Sequence, residues 1–174
     1  MRMNVSTHVN APKDAVFAAV SDFANAGSIV SAIDDVEMLS RASDGSAVGV
    51  GTRFKETRTM FGKQAAETME VTVFDPPRAF TLSANSCGMT FNTRVTVLEE
   101  QPGGGGGCRL IYDVQGKPAS LISRITSPIM GLVMKGAMCK GLRKDLQDIK
   151  QHLEQHAEHR TSEFGAGQAE ALAQ

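Results

Sequence analysis

The sequence TRFKETRTMFGKQAAETMEV, residues 52–71, contains two segments in which apolar and polar side chains alternate, on either side of Phe-Gly-Lys at 61–63. Alternation with a period of two is typical of a β-strand with one buried face, and a glycine between two such segments predicts a hairpin. We expect a turn at 61–63 to set the register of this hairpin. The expected pairs on its apolar face are Met60 with Ala65, Arg58 with Glu67, Glu56 with Met69, and Phe54 with Val71.

Three charged residues, Glu56, Arg58 and Glu67, fall on this apolar face. A charge buried in a dry core is costly unless it is paired and hydrogen-bonded. We therefore expect these side chains to be paired, to lie at the rim of the core, or to face a cavity that holds water or a ligand.

A second hairpin is predicted within AFTLSANSCGMTFNTRVTVLEE, residues 79–100, which shows the clearest alternation in the chain. With Ser86 and Cys87 at the turn, the expected pairs are Ala84 with Met89, Leu82 with Phe91, and Phe80 with Thr93. Further strands are expected at 3–9, at 36–39 as an edge strand, and at 108–116. The segment FDPPRAF, residues 74–80, contains two prolines, which lack the amide donors that a central strand needs. A turn is therefore predicted there.

Helical segments flank this run of strands. The sequence APKDAVFAAVSDF, residues 11–23, has a proline and an aspartate suited to a first helical turn, and a second short turn ends at Gly27. From Pro118 to about Gln155 apolar residues recur with helical spacing, with a kink expected at Pro128. Glycines within this long helix indicate either space beside it or close packing on the sheet. Residues 157–174 are expected to form a disordered tail.

Composition limits the possible functions. The chain has 174 residues, 41% of them hydrophobic, and a formal net charge of -1, which favours one domain, residues 1–156, and argues against a nucleic-acid partner. The first residues lack the apolar run typical of a signal peptide and no stretch of ~20 apolar residues is present, so we expect a cytoplasmic protein without stable membrane insertion. Three cysteines without CxxC spacing predict neither a disulfide framework nor a metal site, and no motif indicates a cofactor.

Four stretches carry a resemblance to a known family: NAPKDAVFAAVSDFANAG near the start, VGVGTRF at 48–54, VTVFDPPRAF at 71–80, and the final amphipathic segment ending LRKDLQDIKQHLE. Over residues 2–156 the chain resembles the START-like or SRPBCC superfamily, and most closely its bacterial polyketide cyclase/dehydrase branch. The resemblance implies an α+β helix-grip fold, in which a curved antiparallel sheet of about seven strands wraps around a long carboxy-terminal helix. Two short helices are expected between the first two strands.

The same resemblance implies a cavity between sheet and helix, where family members bind lipids, sterols, hormones or polyketides. In such a cavity Arg58 would anchor a ligand carboxylate, phenolate or carbonyl, with Glu56 and Glu67 orienting it. Alternatively, Arg58 and Glu67 form a cross-strand ion pair without a function. Tyr112, on the apolar face of the last strand, is a second candidate polar group. The remaining predicted ligand-binding residues are Met69, Phe91, Thr93, Ile129, Val133 and Gly136.

Three functions remain open from the sequence. The first is binding of a small hydrophobic molecule that is lipid-like or polyketide-like. The second is an enzyme of the polyketide cyclase/dehydratase type that uses the same cavity, although no catalytic motif is recognisable. The third is a protein-interaction module without a ligand. We expect a monomer or a homodimer.

Overall fold

The computed structural model describes residues 1–60, 62–86, 88–100, 107–118 and 135–156. Seven strands and three helices are assigned within these ranges. The strands are β1 (Arg2–Val9), β2 (Ile33–Ser40), β3 (Arg53–Met60), β4 (Lys63–Asp75), β5 (Ala79–Ser86), β6 (Met89–Glu99) and β7 (Cys108–Pro118). The helices are α1 (Lys13–Ser21), α2 (Ala26–Ile29) and α3 (135–156), with a 3₁₀ turn at Phe23–Asn25.

The strands form one antiparallel sheet in the order β1-β7-β6-β5-β4-β3-β2. Strands β2 to β7 are therefore joined as consecutive neighbours, and β1 returns to pair with β7. The first two helices lie between β1 and β2, and α3 follows the last strand. This is the α+β architecture that the sequence predicts, with β2 at an edge of the sheet as expected. The predicted kink at Pro128 and the predicted tail at 157–174 concern residues outside the described ranges.

Both hairpins have a register two residues away from the predicted one. In the first, Met60 pairs with Lys63 rather than with Ala65, and Gly62 has a φ of 73°. In the second, Ser86 pairs with Met89, and Gly88 has a φ of 73°. Each connection thus has two residues instead of the four that the predicted pairs require. Glycine adopts a positive φ easily because it has no Cβ, and it therefore favours such tight turns. The predicted registers are wrong because they assume longer turns.

A register shift of two leaves every side chain on the face predicted for it, because strand side chains alternate with a period of two. The partners change instead. Glu56 lies opposite Glu67, and Arg58 lies opposite Ala65, so the predicted cross-strand pairing of Arg58 with Glu67 is wrong.

A β-bulge between β4 and β5 changes which residues of β4 face the core. Val71 pairs with Leu82, but the next pair is Val73 with Thr81, so β4 has one extra residue at this point. Before the bulge Val71 is fully buried, whereas Val73 after it is exposed and Phe74 instead packs against Phe17. Bulges of this kind also increase the bend of a strand.

The core lies on the inner face of the sheet, beneath the helices. Rings of Phe23 and Phe54 stack with centroids 4.6 Å apart, and Phe80 meets Phe23 edge-on at 5.4 Å. Helix α3 contributes Leu146 and Ile149 to the same core. Among the described residues, no helix is both long and apolar enough to cross a membrane.

A candidate ligand-binding cavity

A cavity of about 800 Å³ lies between the inner face of the sheet and the helices. All seven strands contribute side chains to its wall, as do α1, α2, the 3₁₀ turn and α3. The sheet and helices therefore leave a space between them rather than packing fully against each other. The cavity is within the range of roughly 300 to 1,000 Å³ that is usual for small-molecule sites.

Most of the cavity wall is apolar, and part of it is also the protein core. Phe54, Phe80, Val95 and Ile149 are each buried in the core and also line the cavity. More flexible apolar groups complete the wall, among them the thioethers of Met69, Met89 and Met138. Because unbranched thioethers adapt to irregular shapes, this wall suits ligands that vary in outline.

Three charged side chains on the wall form what we call the acid–arginine cluster: Glu56, Arg58 and Asp145. The Nε of Arg58 donates to Oε1 of Glu56 at 2.6 Å, and its Nη1 donates to Oδ2 of Asp145 at 3.1 Å. Glu56 and Asp145 are 7% and 5% exposed. Strand β3 positions the first two residues two apart on one face, and α3 brings Asp145 to them across the cavity. The cluster therefore ties the sheet to the long helix.

Burial dominates the electrostatics of this cluster. It raises the pKa of both Glu56 and Asp145, although the nearby Arg58 charge acts in the opposite direction. Burial also opposes the charge of Arg58, but the two carboxylates outweigh it, so the pKa of Arg58 lies above its ordinary value. One permanent positive charge is thus shared by two carboxylates that would each bind a proton more readily than in water.

Two polar groups of the cavity wall, one within the cluster and one outside it, have no hydrogen-bond partner within the described part of the chain. The Oδ1 of Asp145 is buried and unpaired. Tyr112 lines the cavity, and its hydroxyl is likewise without a partner among the described residues. Burial raises the pKa of Tyr112, and the negative charges of Asp145 and Glu56 raise it further, so the phenol stays neutral. Two residues of the cavity wall, Asp145 and Tyr112, thus each carry a polar group without a partner in the described part of the chain.

Seven of the ten predicted ligand-binding residues line the cavity, and they are Glu56, Arg58, Glu67, Met69, Phe91, Thr93 and Tyr112. Ile129 and Val133 lie outside the described residues. Gly136 is exposed and is not part of the described cavity wall. A different glycine of α3, Gly141, lines the cavity, and a Cβ added there would meet no atom within 4 Å.

Asp145 was not among the predicted site residues, although the sequence contains a signal for it. Met138, Leu142, Asp145 and Ile149 follow one another with helical spacing, and all four line the cavity. A charged residue on the apolar face of an amphipathic helix indicates a paired or functional group, as it does on an apolar strand face. Applied to α3, that reasoning finds Asp145.

Comparison with known proteins fits this geometry. Residues 1–158 match the sequence profile of the family described as "Polyketide cyclase / dehydrase and lipid transport". The chain belongs to this family. The match spans the whole of the described structure, so membership in the polyketide cyclase/dehydrase family, predicted from four short stretches, is confirmed. No curated protein sequence matches the chain.

Solved structures share the fold of this family member. A START superfamily protein from Mycobacterium smegmatis has a TM-score of 0.70 at 16% identity, covering 88% of this chain and 97% of that chain. An aromatase/cyclase from Streptomyces sp. R1128 has a TM-score of 0.68 at 13% identity, covering 90% and 95%. A major latex-like protein from Panax ginseng has a TM-score of 0.66 at 12% identity, covering 88% and 97%. The helix-grip fold is thus confirmed. Family and fold together indicate a domain that binds a hydrophobic ligand or acts as a polyketide cyclase.

Proposed function

We propose that this protein binds a small, lipid-like or polyketide-like molecule in the cavity, with its apolar part against the phenylalanine and methionine wall. The polar part of the ligand lies at the end formed by Tyr112 and the acid–arginine cluster. The observation that carries the proposal is an apolar cavity of about 800 Å³ in which a few buried polar groups converge. Such a combination is the usual form of a small-molecule site.

The apolar wall supplies most of the binding free energy in this proposal. Burial of apolar ligand surface contributes roughly 25 cal/mol per Å², from which the cost of immobilising the ligand is subtracted. The polar groups contribute mainly to the orientation of the ligand. Their burial is already unfavourable, and hydrogen bonds to a ligand group can offset this cost.

Filling the cavity from α3 is expected to weaken binding without weakening the fold. Gly141→Trp places an indole into the open space next to Gly141 and removes a glycine from a helix, which by itself favours the helix by roughly 0.5 kcal/mol. We expect the affinity for the neutral fluorescent probe N-phenyl-1-naphthylamine to fall at least about fivefold because the indole occupies its space. The wild-type chain has no tryptophan, so the emission of the indole reports its surroundings without interference.

Gly136→Trp is the matched control. Gly136 lies on the same helix and is exposed, and a Cβ added there would also meet no atom within 4 Å, but this glycine is not part of the described cavity wall. The affinity of this variant for the probe should equal that of the wild type, and its emission should be that of an indole in water. Equal affinity for the probe in the wild type and both variants would show that the probe does not bind in this cavity.

One observation favours catalysis as a second candidate function. Two carboxyl groups whose pKa is raised by burial lie close to a neutral phenol that has no partner among the described residues. Groups tuned in this way are suited to moving protons in general acid–base catalysis. A flexible polyketide chain held in the cavity would be folded by its walls, and its reacting carbons would be kept close together.

If the protein is a cyclase of this type, Tyr112→Phe should separate catalysis from binding. Loss of the hydroxyl is expected to lower the rate of cyclisation of a linear poly-β-ketone by about 100-fold or more. Affinity for N-phenyl-1-naphthylamine should stay within about threefold of the wild type, since the ring is retained. Wild-type protein that does not accelerate cyclisation above the uncatalysed rate would exclude this second function for that substrate class.

A further inference from the structure

The charges around the polar end of the cavity bear on the chemical class of the ligand. Arg58 is a partly buried cation at this end, with its side chain 23% exposed, and its Nε and Nη1 both donate to protein carboxylates. Glu67 also lines the cavity and lies directly opposite Glu56 in the sheet. A ligand carboxylate would therefore compete with two protein carboxylates for one guanidinium and would face a third acidic group.

Other cations of the cavity wall are placed differently. The side chain of Arg2 is 72% exposed and pairs with Asp113, and Lys135 is exposed. The amino-terminal ammonium of Met1, also on the wall, donates to the carbonyl oxygen of Gly116 at 2.8 Å. These three cations are either exposed or paired with groups outside the acid–arginine cluster. A carboxylate held at the exposed rim by Lys135 would leave Oδ1 of Asp145 unpaired.

Among the described residues, no hydrogen-bond donor is provided for Oδ1 of Asp145. Asp145 is 5% exposed, its Oδ2 accepts from Arg58, and its Oδ1 has no donor in the described part of the protein. A buried acceptor without a donor is costly, and a ligand that supplies the donor gains the free energy of a hydrogen bond to a charged group.

We infer that the cavity selects a neutral amphiphile whose hydroxyl group donates a hydrogen bond to Asp145, and that it disfavours the carboxylate with the same apolar chain. This inference rests on the proposed function, and it specifies the ligand class for that site.

Three compounds with closely similar unbranched alkyl chains separate the features of the inference: 1-decanol, decyl methyl ether and sodium decanoate. Each is titrated at pH 7.5 against the wild-type protein loaded with N-phenyl-1-naphthylamine, and displacement is followed by fluorescence. The alcohol has a donor and no charge, the ether has neither, and decanoate is an anion. We expect 1-decanol to displace the probe at concentrations at least about tenfold below those needed for decanoate, and about fivefold below those for the ether.

Asp145→Asn tests whether Asp145 is the group responsible. The change removes one carboxylate charge, so the preference for 1-decanol over decanoate is expected to shrink at least about fivefold. Asp75→Asn is the matched control, because Asp75 also pairs with an arginine, Arg78, at 3.0 Å, but its side chain is 46% exposed and it is not part of the described cavity wall. Its selectivity should equal that of the wild type.

The possible failures are distinguishable. Wild-type protein that binds neither the probe nor any of the three compounds would overturn the proposed function itself. Tight binding of all three with decanoate equal to or better than 1-decanol, or with the ether equal to the alcohol, would overturn the inference and leave the cavity as a binding site. An unchanged preference in Asp145→Asn would also overturn it.

Discussion

Replacing Arg58 with methionine is expected to lower the free energy of unfolding by about 3 to 5 kcal/mol at pH 7.5. Methionine approximates the length of the aliphatic part of arginine, so the loss is mainly one of charge. Glu56 and Asp145 would remain buried without the cation that both of them contact. An uncompensated buried carboxylate is among the most destabilising features that a single substitution produces.

The destabilisation should depend on pH with a definite sign. Burial already raises the pKa of Glu56 and Asp145 above their ordinary values of 4.5 and 3.8, and loss of Arg58 would raise both further. The folded variant then holds protons that the unfolded chain releases, so stability is lost as pH rises from these ordinary values through the folded ones. Urea denaturation should therefore show a larger deficit at pH 8 than at pH 5.

Arg78→Met provides the control for this prediction. Arg78 also pairs with a carboxylate, at 3.0 Å from Asp75, but its side chain is 68% exposed. An exposed pair contributes about 0 to 1 kcal/mol, so this variant should stay close to the wild type at both pH values. A deficit at Arg58 as small as that at Arg78 would mean that the carboxylates of the cluster escape to water.

Phe80→Ala is expected to lower the free energy of unfolding by about 3 to 5 kcal/mol. Phe80 is 1% exposed, and its ring meets Phe17 at 6.0 Å and Phe23 at 5.4 Å. These contacts attach α1 and the 3₁₀ turn to β5. Truncation removes both contacts and enlarges the cavity, because Phe80 is also part of its wall.

Leu98→Ala is the comparison for Phe80→Ala. Leu98 lies in the neighbouring strand β6 and is 47% exposed, so its truncation should change stability by about 0.5 kcal/mol or less. Chemical denaturation of both variants under one set of conditions gives the difference. Similar losses in the two variants would contradict the placement of Phe80 at the junction of helices and sheet.

The sequence was sufficient to assign side chains to faces, but not to pair the strands. Alternation in 52–60 identified Phe54, Glu56 and Arg58 as inward-facing, and the structure places all three on the cavity wall. The register depends on the turn, where a single glycine at a positive φ decides between two and four connecting residues. The bulge after Val71 was beyond prediction, since alternation alone would have placed Val73 on the inner face.

The candidate site was predicted in part for a related reason. Residues on strands could be grouped because a hairpin fixes which of them are neighbours. Asp145 belongs to a helix and lies 87 positions along the chain from Arg58, and no local pattern states where that helix crosses the sheet. The rotation of α3 about its axis is equally unspecified by the sequence. For this reason Gly136 is predicted as a wall residue, whereas Gly141 is the glycine found in the described wall.

The sharing of side chains between core and cavity wall has a consequence for the protein in a cell. An empty cavity leaves some wall residues without packing partners on one side, namely Phe54, Phe80, Val95 and Ile149. Because the same side chains form the core, a bound ligand also stabilises the fold. A ligand at a hundredfold excess over its dissociation constant would stabilise the native state by about 2.7 kcal/mol. Resistance to heat and to proteolysis would then increase with the concentration of the bound compound. The abundance of the protein would therefore depend on the metabolism that produces this compound.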